Sequence, residues 1–288
     1  MDFREKSWLC GRRTLRFGAP AVMGIVNVTP DSFFAGSRTP GVEAAVARGH
    51  QLAAEGASIL DVGGESTRPG AEPLSEAEEL SRVAPAIRAL REALPEMPLS
   101  VDTRHVAVAR AAIDAGADIV NDVSGLEPEP GMAELIAASG AGYVLTHGRG
   151  VALVQEGRPA LGASPVEVLA ALEAAASRLE AAGADPRQIA LDPGLGFEKS
   201  AEASWRLLAA TARLAATGRV VLVGASRKRF LDEGATPEAR GAASVGAALW
   251  AASQGANVLR AHDVGTTVGA LRAFRKAEVF GREDAADA

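Results

Sequence analysis

The chain has 288 residues, a formal net charge of −6, 48% hydrophobic and 23% charged residues. That balance suits one soluble globular domain with a sizeable core. The acidic charge and an aromatic content of only 4% argue against a nucleic-acid surface or a base-stacking platform. No apolar run reaches the roughly 18 residues of a membrane span, and Met1-Asp-Phe-Arg-Glu-Lys6 lacks the apolar core of a signal peptide. A lone cysteine, Cys10, forbids an intramolecular disulfide and points to a reducing compartment, the cytoplasm.

In chain order, residues 1–20 read as a short N-terminal hairpin, with Trp8-Leu-Cys before Gly11 and Thr14-Leu-Arg-Phe after it. An apolar run, Ala21–Asn27, follows. Seven times thereafter a helix-like stretch stops and a short apolar run begins. The stops are Gly56, Gly116, Gly140, Gly183, Gly218 and Gly255, with Pro95 once in place of glycine. Glycine suits the left-handed residue just past a helix C-terminus. The runs start near residues 58, 98, 118, 143, 189, 220 and 258, and short apolar runs read as strands buried on both faces.

Alanine-rich helices are predicted over 41–55, 75–94, 104–115, 130–139, 164–182, 200–217, 237–254 and 265–280. Ser75-Glu-Ala-Glu78 and Ser164-Pro-Val-Glu167 read as capping boxes. Thr39-Pro40 and Thr236-Pro237 place proline at a first helical position. Eight strands alternating with helices predict an α/β fold, a TIM (β/α)8 barrel, as a single domain over 1–288. The hairpin is expected to plug its bottom.

In such a barrel the C-terminal strand ends carry the chemistry. Here they hold Asn27, Asp61, Asp102, Asn121, His147, Asp192, Lys228 and His262. Three strand-to-helix loops, 27–39, 63–74 and 148–163, are long enough to be functional. The first, with Phe33 and Phe34, is either anchored by its phenylalanines or closes as a lid. Asn27 offers a neutral oxygen to Mg²⁺. In the second, Gly63 and Gly64 permit close backbone approach, and Ser66, Thr67 and Arg68 can meet an anion.

Asp102, Asn121 and Asp192 face one mouth, suited to reading a heterocycle with several N–H donors. Either aspartate alone reads equally as a helix cap, and either Asn121 or Asp122 is the inward residue. Of 30 basic residues only Lys6, Lys199, Lys228 and Lys276 are lysines. Lys228, in Gly224-Ala-Ser-Arg-Lys-Arg229, therefore draws interest as a site for a compact ammonium. Arg260 and His262 alternate by two and share one face. A charge inside an otherwise apolar last strand favours an anion site there.

Gly24-Ile-Val-Asn-Val-Thr-Pro-Asp-Ser-Phe33, Asp61-Val-Gly-Gly-Glu-Ser-Thr-Arg-Pro-Gly-Ala71, Asp192-Pro-Gly-Leu-Gly-Phe197, Ser226-Arg-Lys228 and Arg260-Ala-His-Asp263 together resemble the dihydropteroate synthase family. The resemblance runs from about residue 20 to 275. It implies a folate-pathway transferase joining 6-hydroxymethyl-7,8-dihydropterin pyrophosphate to 4-aminobenzoate, with Mg²⁺. By matching motif, Asp102, Asn121, Asp192 and Lys228 would hold the pterin. Asn27 would face Mg²⁺ and pyrophosphate, with Arg68, Arg260 and His262 serving the same anion. Phe33, Thr67, Pro69, Phe197 and Ser226 would form the aminobenzoate pocket. The small-residue helix Gly241–Trp250 reads either as close packing on the barrel alone or as a dimer face, and the resemblance favours the homodimer. One segment departs: the family commonly has Met-His-Met where Thr146-His147-Gly148 stands. A pterin-dependent methyltransferase and a non-catalytic pterin-binding paralogue are the alternatives.

Overall fold

The computed structural model describes residues 6–28, 40–64, 74–148 and 164–286. Eight parallel strands close a barrel: β3 (Ala21–Asn27), β4 (Ile59–Gly63), β5 (Leu99–Asp102), β6 (Ile119–Asp122), β7 (Gly142–Thr146), β8 (Ile189–Asp192), β9 (Val220–Val223) and β10 (Val258–Ala261), with β10 paired back onto β3. Helices α1 (Pro40–Ala54), α2 (Glu76–Ala93), α3 (Val106–Ala115), α4 (Met132–Ser139), α5 (Pro165–Ala181), α6 (Ala201–Ala209), α7 (Thr211–Ala215), α8 (Gly241–Ser253) and α9 (Val264–Ala286) are the connections and the C-terminal element.

The punctuation works as expected. All six glycine stops have positive φ. Ser75 and Ser164 each accept the N3 backbone N–H while Glu78 and Glu167 reach back to the cap, and α1 opens on Pro40. Two helices differ from expectation. The stretch 200–217 is two helices, because Ala210 turns out of the helical basin (φ −90°, ψ 10°) and the Thr211 hydroxyl bonds back to Leu208 O at 2.7 Å. Pro237 does not start a helix. Residues 237–240 form a turn and α8 begins at Gly241, because Arg240 is drawn inward to donate to Asp232 O and Ala235 O.

Strands β1 (Lys6–Cys10) and β2 (Arg13–Phe17) form the predicted hairpin, antiparallel and in register from Lys6–Phe17 to Cys10–Arg13. Its buried face, Trp8, Cys10 and Phe17, packs against Met23, Ile59, Ile119, Val144, Ala190, Val220, Leu222 and Val258, so it plugs the N-terminal end of the barrel. Trp8 is fully buried and donates Nε1–H to Gln188 O at 2.7 Å, which satisfies the indole's one polar group. The approach is close: a Cβ on Gly142 of β7 would stand 2.8 Å from the Cys10 sulfur. Below it Asp118 gathers Arg91 and Arg13, at 2.5 and 3.4 Å.

With the bottom filled, strand alternation assigns the rest. Leu60, Val62, Leu99, Val101, Val120, Tyr143, Leu145, Leu191, Leu259 and Ala261 belong to the core beneath the helices. Successive strand side chains take opposite faces. Asp61, Asp102, Asn121, Thr146, Asp192 and Arg260 therefore line the interior toward the C-terminal mouth.

Candidate active site at the barrel mouth

Four of the interior polar groups, Asp61, Asp102, Asn121 and Arg260, are bonded to one another. Arg260 donates from Nε to Asp61 Oδ2 at 2.6 Å and from Nη2 to Asp102 Oδ2 at 2.7 Å. Asn121 donates Nδ2–H to the same Asp61 oxygen at 3.0 Å. Burial pushes the Asp102 carboxyl up to about 7; Arg260 pulls it down, and Asp61, Glu79 and Asp122 add to the rise. Burial works against the charge of Arg260, but Asp61 and Asp102 outweigh it and hold the guanidinium firmly protonated.

This network settles the two inward candidates on β6. Asn121 faces the interior. Asp122 faces the helices and accepts from Tyr143 Oη at 2.7 Å and from Ser124 N and Oγ at 2.7 and 2.6 Å. It also supplies a structural reason for the charge on β10: Arg260 is balanced by two of the protein's own carboxylates. Its strand position therefore does not by itself argue for an external anion. Asp61, which stood among the strand-end residues with no assigned role, is fully buried and organises the interior. The available signal was electrostatic: an inward arginine in a closed barrel needs a nearby carboxylate.

Across the mouth, Asp192 ends β8. Its Oδ1 accepts the Gly194 N–H at 2.7 Å within the loop; it does not cap the following helix, whose N-cap is Ser200. Burial raises its carboxyl while Lys228 and the Gly194 bond oppose the rise. Lys228 donates to Leu195 O and lies 4.0 Å above the Phe197 ring. Burial lowers its ammonium to about 8, with Asp192 resisting and Arg260 assisting. Part of the Lys228 surface still reaches solvent, which softens that desolvation. The cation opposing Lys228 is thus Arg260 on the neighbouring strand.

The turn carrying Lys228 is strained, since Arg227 has φ +60°, a conformation that L-residues other than glycine rarely adopt. Arg227 is held there by its N–H on Ser244 Oγ at 2.9 Å and its guanidinium on Asp263 at 2.8 Å. The result turns Ser226 toward β10, where its hydroxyl meets His262 Nδ1 at 3.0 Å and accepts the His262 N–H at 3.1 Å. Arg48 fixes the same residue from outside through His262 O at 2.9 Å. Asn27 is the exposed last residue of β3, the strand paired with β10, so Asn27 and His262 end neighbouring strands, as the barrel order predicted.

Phe33, Thr67, Arg68 and Pro69 lie outside the described residues, as do nearly all of the loops 27–39, 63–74 and 148–163. At the divergent segment, Thr146 is buried. Its hydroxyl has no hydrogen-bond partner among the described residues.

The mouth therefore presents three acceptor side chains on β5, β6 and β8 and cations at the ends of β9 and β10. Such a ring suits a flat heterocycle with N–H groups on one edge and lone pairs on another. The pterin binding enzyme family matches residues 23–262. The chain belongs to that family. Within it, the dihydropteroate synthase of Mycobacterium leprae is 44% identical over 263 residues, 87% of this chain and 91% of its own. A Xanthomonas albilineans dihydropteroate synthase structure with 4-aminobenzoic acid superimposes with a TM-score of 0.87 at 45% identity, covering 95% of this chain and 98% of the other. The Burkholderia cenocepacia dihydropteroate synthase complexed with 7,8-dihydropteroate does so at 0.85 and 39% identity, covering 97% and 99%. Pterin-binding enzymes of the dihydropteroate synthase kind are thus the relatives of this barrel over nearly its full length.

Proposed function

We propose that this chain is a transferase that condenses 6-hydroxymethyl-7,8-dihydropterin pyrophosphate with 4-aminobenzoate, giving 7,8-dihydropteroate and pyrophosphate. The carrying observation is the ring of Asp102, Asn121, Asp192 and Lys228 at the mouth of a barrel whose relatives are complexed with that product and that amine. Asp192 and Asp102 accept from the pterin N–H groups, and Asn121 reads an adjacent edge. Lys228 turns from Leu195 O to a ring acceptor. The C–O bond to pyrophosphate breaks with its electron pair leaving on the phosphate. The pterin delocalises the positive charge left on its methylene, the neutral amine nitrogen attacks that carbon, and the surplus proton passes to solvent. A strong base is not required.

Asn27, Arg68, Arg260 and His262 would receive the leaving pyrophosphate, since fixed positive charge lowers the barrier for a departing anion. Phe33, Thr67, Pro69, Phe197 and Ser226 would receive the aminobenzoate. Asn27 fits Mg²⁺, which takes one or two protein oxygens and fills its shell with phosphate oxygens and water. Its exposed amide at a strand end meets that demand, and the ion would neutralise phosphate charge there.

The protein is expected to act in the cytoplasm as a homodimer; no described helix is long and apolar enough to cross a membrane. Trp250 is 49% exposed on α8, one turn beyond Gly246, whose Cβ position faces open space. Light scattering at about one chain mass would exclude the dimer. The decisive assay incubates the purified chain with both substrates and Mg²⁺ and follows pyrophosphate release and dihydropteroate by mass. Absence of dihydropteroate, or methyl transfer in its place, would overturn the assignment.

A further inference from the structure

The segment from Asp192 to Lys199 joins β8 to α6 and carries three left-handed residues, Gly194, Gly196 and Glu198, with φ of 65°, 75° and 50°. Gly194 and Gly196 adopt it without steric cost, but at Glu198 such backbone persists only where its surroundings over-determine it. The Lys199 ammonium supplies that constraint. It has three N–H donors and meets three carbonyls: His147 O at 2.7 Å, Gly194 O at 2.9 Å and Phe197 O at 3.1 Å. His147 follows β7, and its N–H in turn bonds Asp192 O at 2.9 Å. One cation therefore ties the end of β7 to both halves of the loop after β8.

Everything this loop presents to the mouth depends on its shape. Gly194 N orients the Asp192 carboxylate. Leu195 O and the Phe197 ring together seat Lys228. The fit around the cation is close: a Cβ at Gly194 would lie 2.3 Å from His147 O and 3.1 Å from Lys199 Nζ. None of these three carbonyls is a reacting atom in the proposed chemistry.

We infer that Lys199 is a positioning residue for the proposed transferase reaction: by bracing the loop 193–198 against the end of β7, it orients the Asp192 carboxylate and the seat of Lys228 without touching substrate. The inference rests on the reaction proposed above. A planar arginine fork cannot converge on three carbonyls as a rotatable ammonium does, so the brace is specific to lysine.

The test compares the full-length parent with Lys199→Met, which keeps length but has no donor, and with Lys199→Arg. Hydrogen exchange of the apo proteins reads the loop directly, independently of turnover. Exchange in Lys199→Met should quicken across residues 193–199 while the barrel strands stay protected. kcat/KM for pterin pyrophosphate should fall about 10- to 100-fold, the cost of small misplacements of catalytic groups, and the alkaline limb of its pH profile should shift. Lys199→Arg should recover thermal stability ahead of kcat/KM. Unchanged exchange in the loop would overturn the brace. A lowered thermal midpoint with parental kcat/KM and pH profile would reduce Lys199 to a structural staple. Were the parent itself inactive with both substrates, the reaction would fall while the exchange comparison still judged the brace.

Discussion

Replacing Asp61 by asparagine removes one charge at constant volume from the most buried part of the site. Asp61 Oδ2 holds both Arg260 Nε and Asn121 Nδ2; an amide oxygen in that position can still accept from both, with its NH₂ where Oδ1 stood, so what the substitution removes is the negative charge facing Arg260. Losing a partner from a buried pair costs about 3–5 kcal/mol; a single charge-assisted bond is worth about 1.5–3 kcal/mol. Two features pull the figure toward the lower range. Arg260 keeps Asp102, and Asp61 Oδ1 has no partner among the described residues, so the carboxylate is itself incompletely compensated. A loss of about 2–4 kcal/mol follows, or a thermal midpoint lower by roughly 4–8 °C at about 2 °C per kcal/mol in a domain of this size. Asp61 also raises the Asp102 carboxyl. Removing that negative neighbour lowers Asp102 from about 7, so the acid limb of kcat/KM should move to lower pH in Asp61→Asn. Calorimetric melting and a pH series of initial rates measure both. A midpoint within about 1 °C of the parent, with the acid limb in place, would refute the role of Asp61 as the internal counter-charge.

Asp192→Asn should keep the fold but weaken binding of a pterin analogue by about 1–3 kcal/mol, because a donor would then face a pterin N–H; equal affinity by calorimetry would show that another residue reads the pterin. Lys228 is protonated below about 8 and neutral above it. kcat/KM for the pterin substrate should therefore decline above about pH 8, and a profile level to about pH 9.5 would remove Lys228 from the essential groups of the free enzyme. Thr146→Val deletes a buried hydroxyl with no partner among the described residues. Stability in urea should stay equal or rise by about 1 kcal/mol, and a loss of that size would mean the hydroxyl is satisfied after all.

The barrel was legible in the sequence because its signals are local and repeated. A left-handed glycine ends most helices, and the apolar run that follows has no polar face to leave in solvent. Two members of the inward set at the mouth were legible for a related reason: Asp102 and Asp192 each end such a run. What stayed hidden depends on contacts between distant segments. Asp61 and Arg260 are 199 positions apart, and neither signals its partner. The choice between Asn121 and Asp122 turned on Tyr143 reaching across from β7, which strand alternation alone did not decide. Lys199 was noticed as a scarce residue, yet its carbonyl partners follow from left-handed backbone at Gly194, Gly196 and Glu198. The break at Ala210 has a side-chain cause, the Thr211 hydroxyl, too weak to detect within an alanine-rich stretch.

The hairpin at the base of the barrel has a consequence for the order in which the molecule is made. It leaves the ribosome before every strand of the barrel that it plugs, yet Trp8 bonds a residue 180 positions later, and Lys6 donates to Ala215 O and Arg219 O, 209 and 213 positions later. At about 5–20 residues per second, those partners emerge on the order of 10–40 s after the hairpin. A two-stranded hairpin alone is marginal in water, so the newborn segment carries Trp8 and Phe17 unsheltered through most of translation. Its seat is complete only when β10 brings Val258 into the base. A piece made before the barrel is thus among the last to find its place, and it closes the base of the barrel from below.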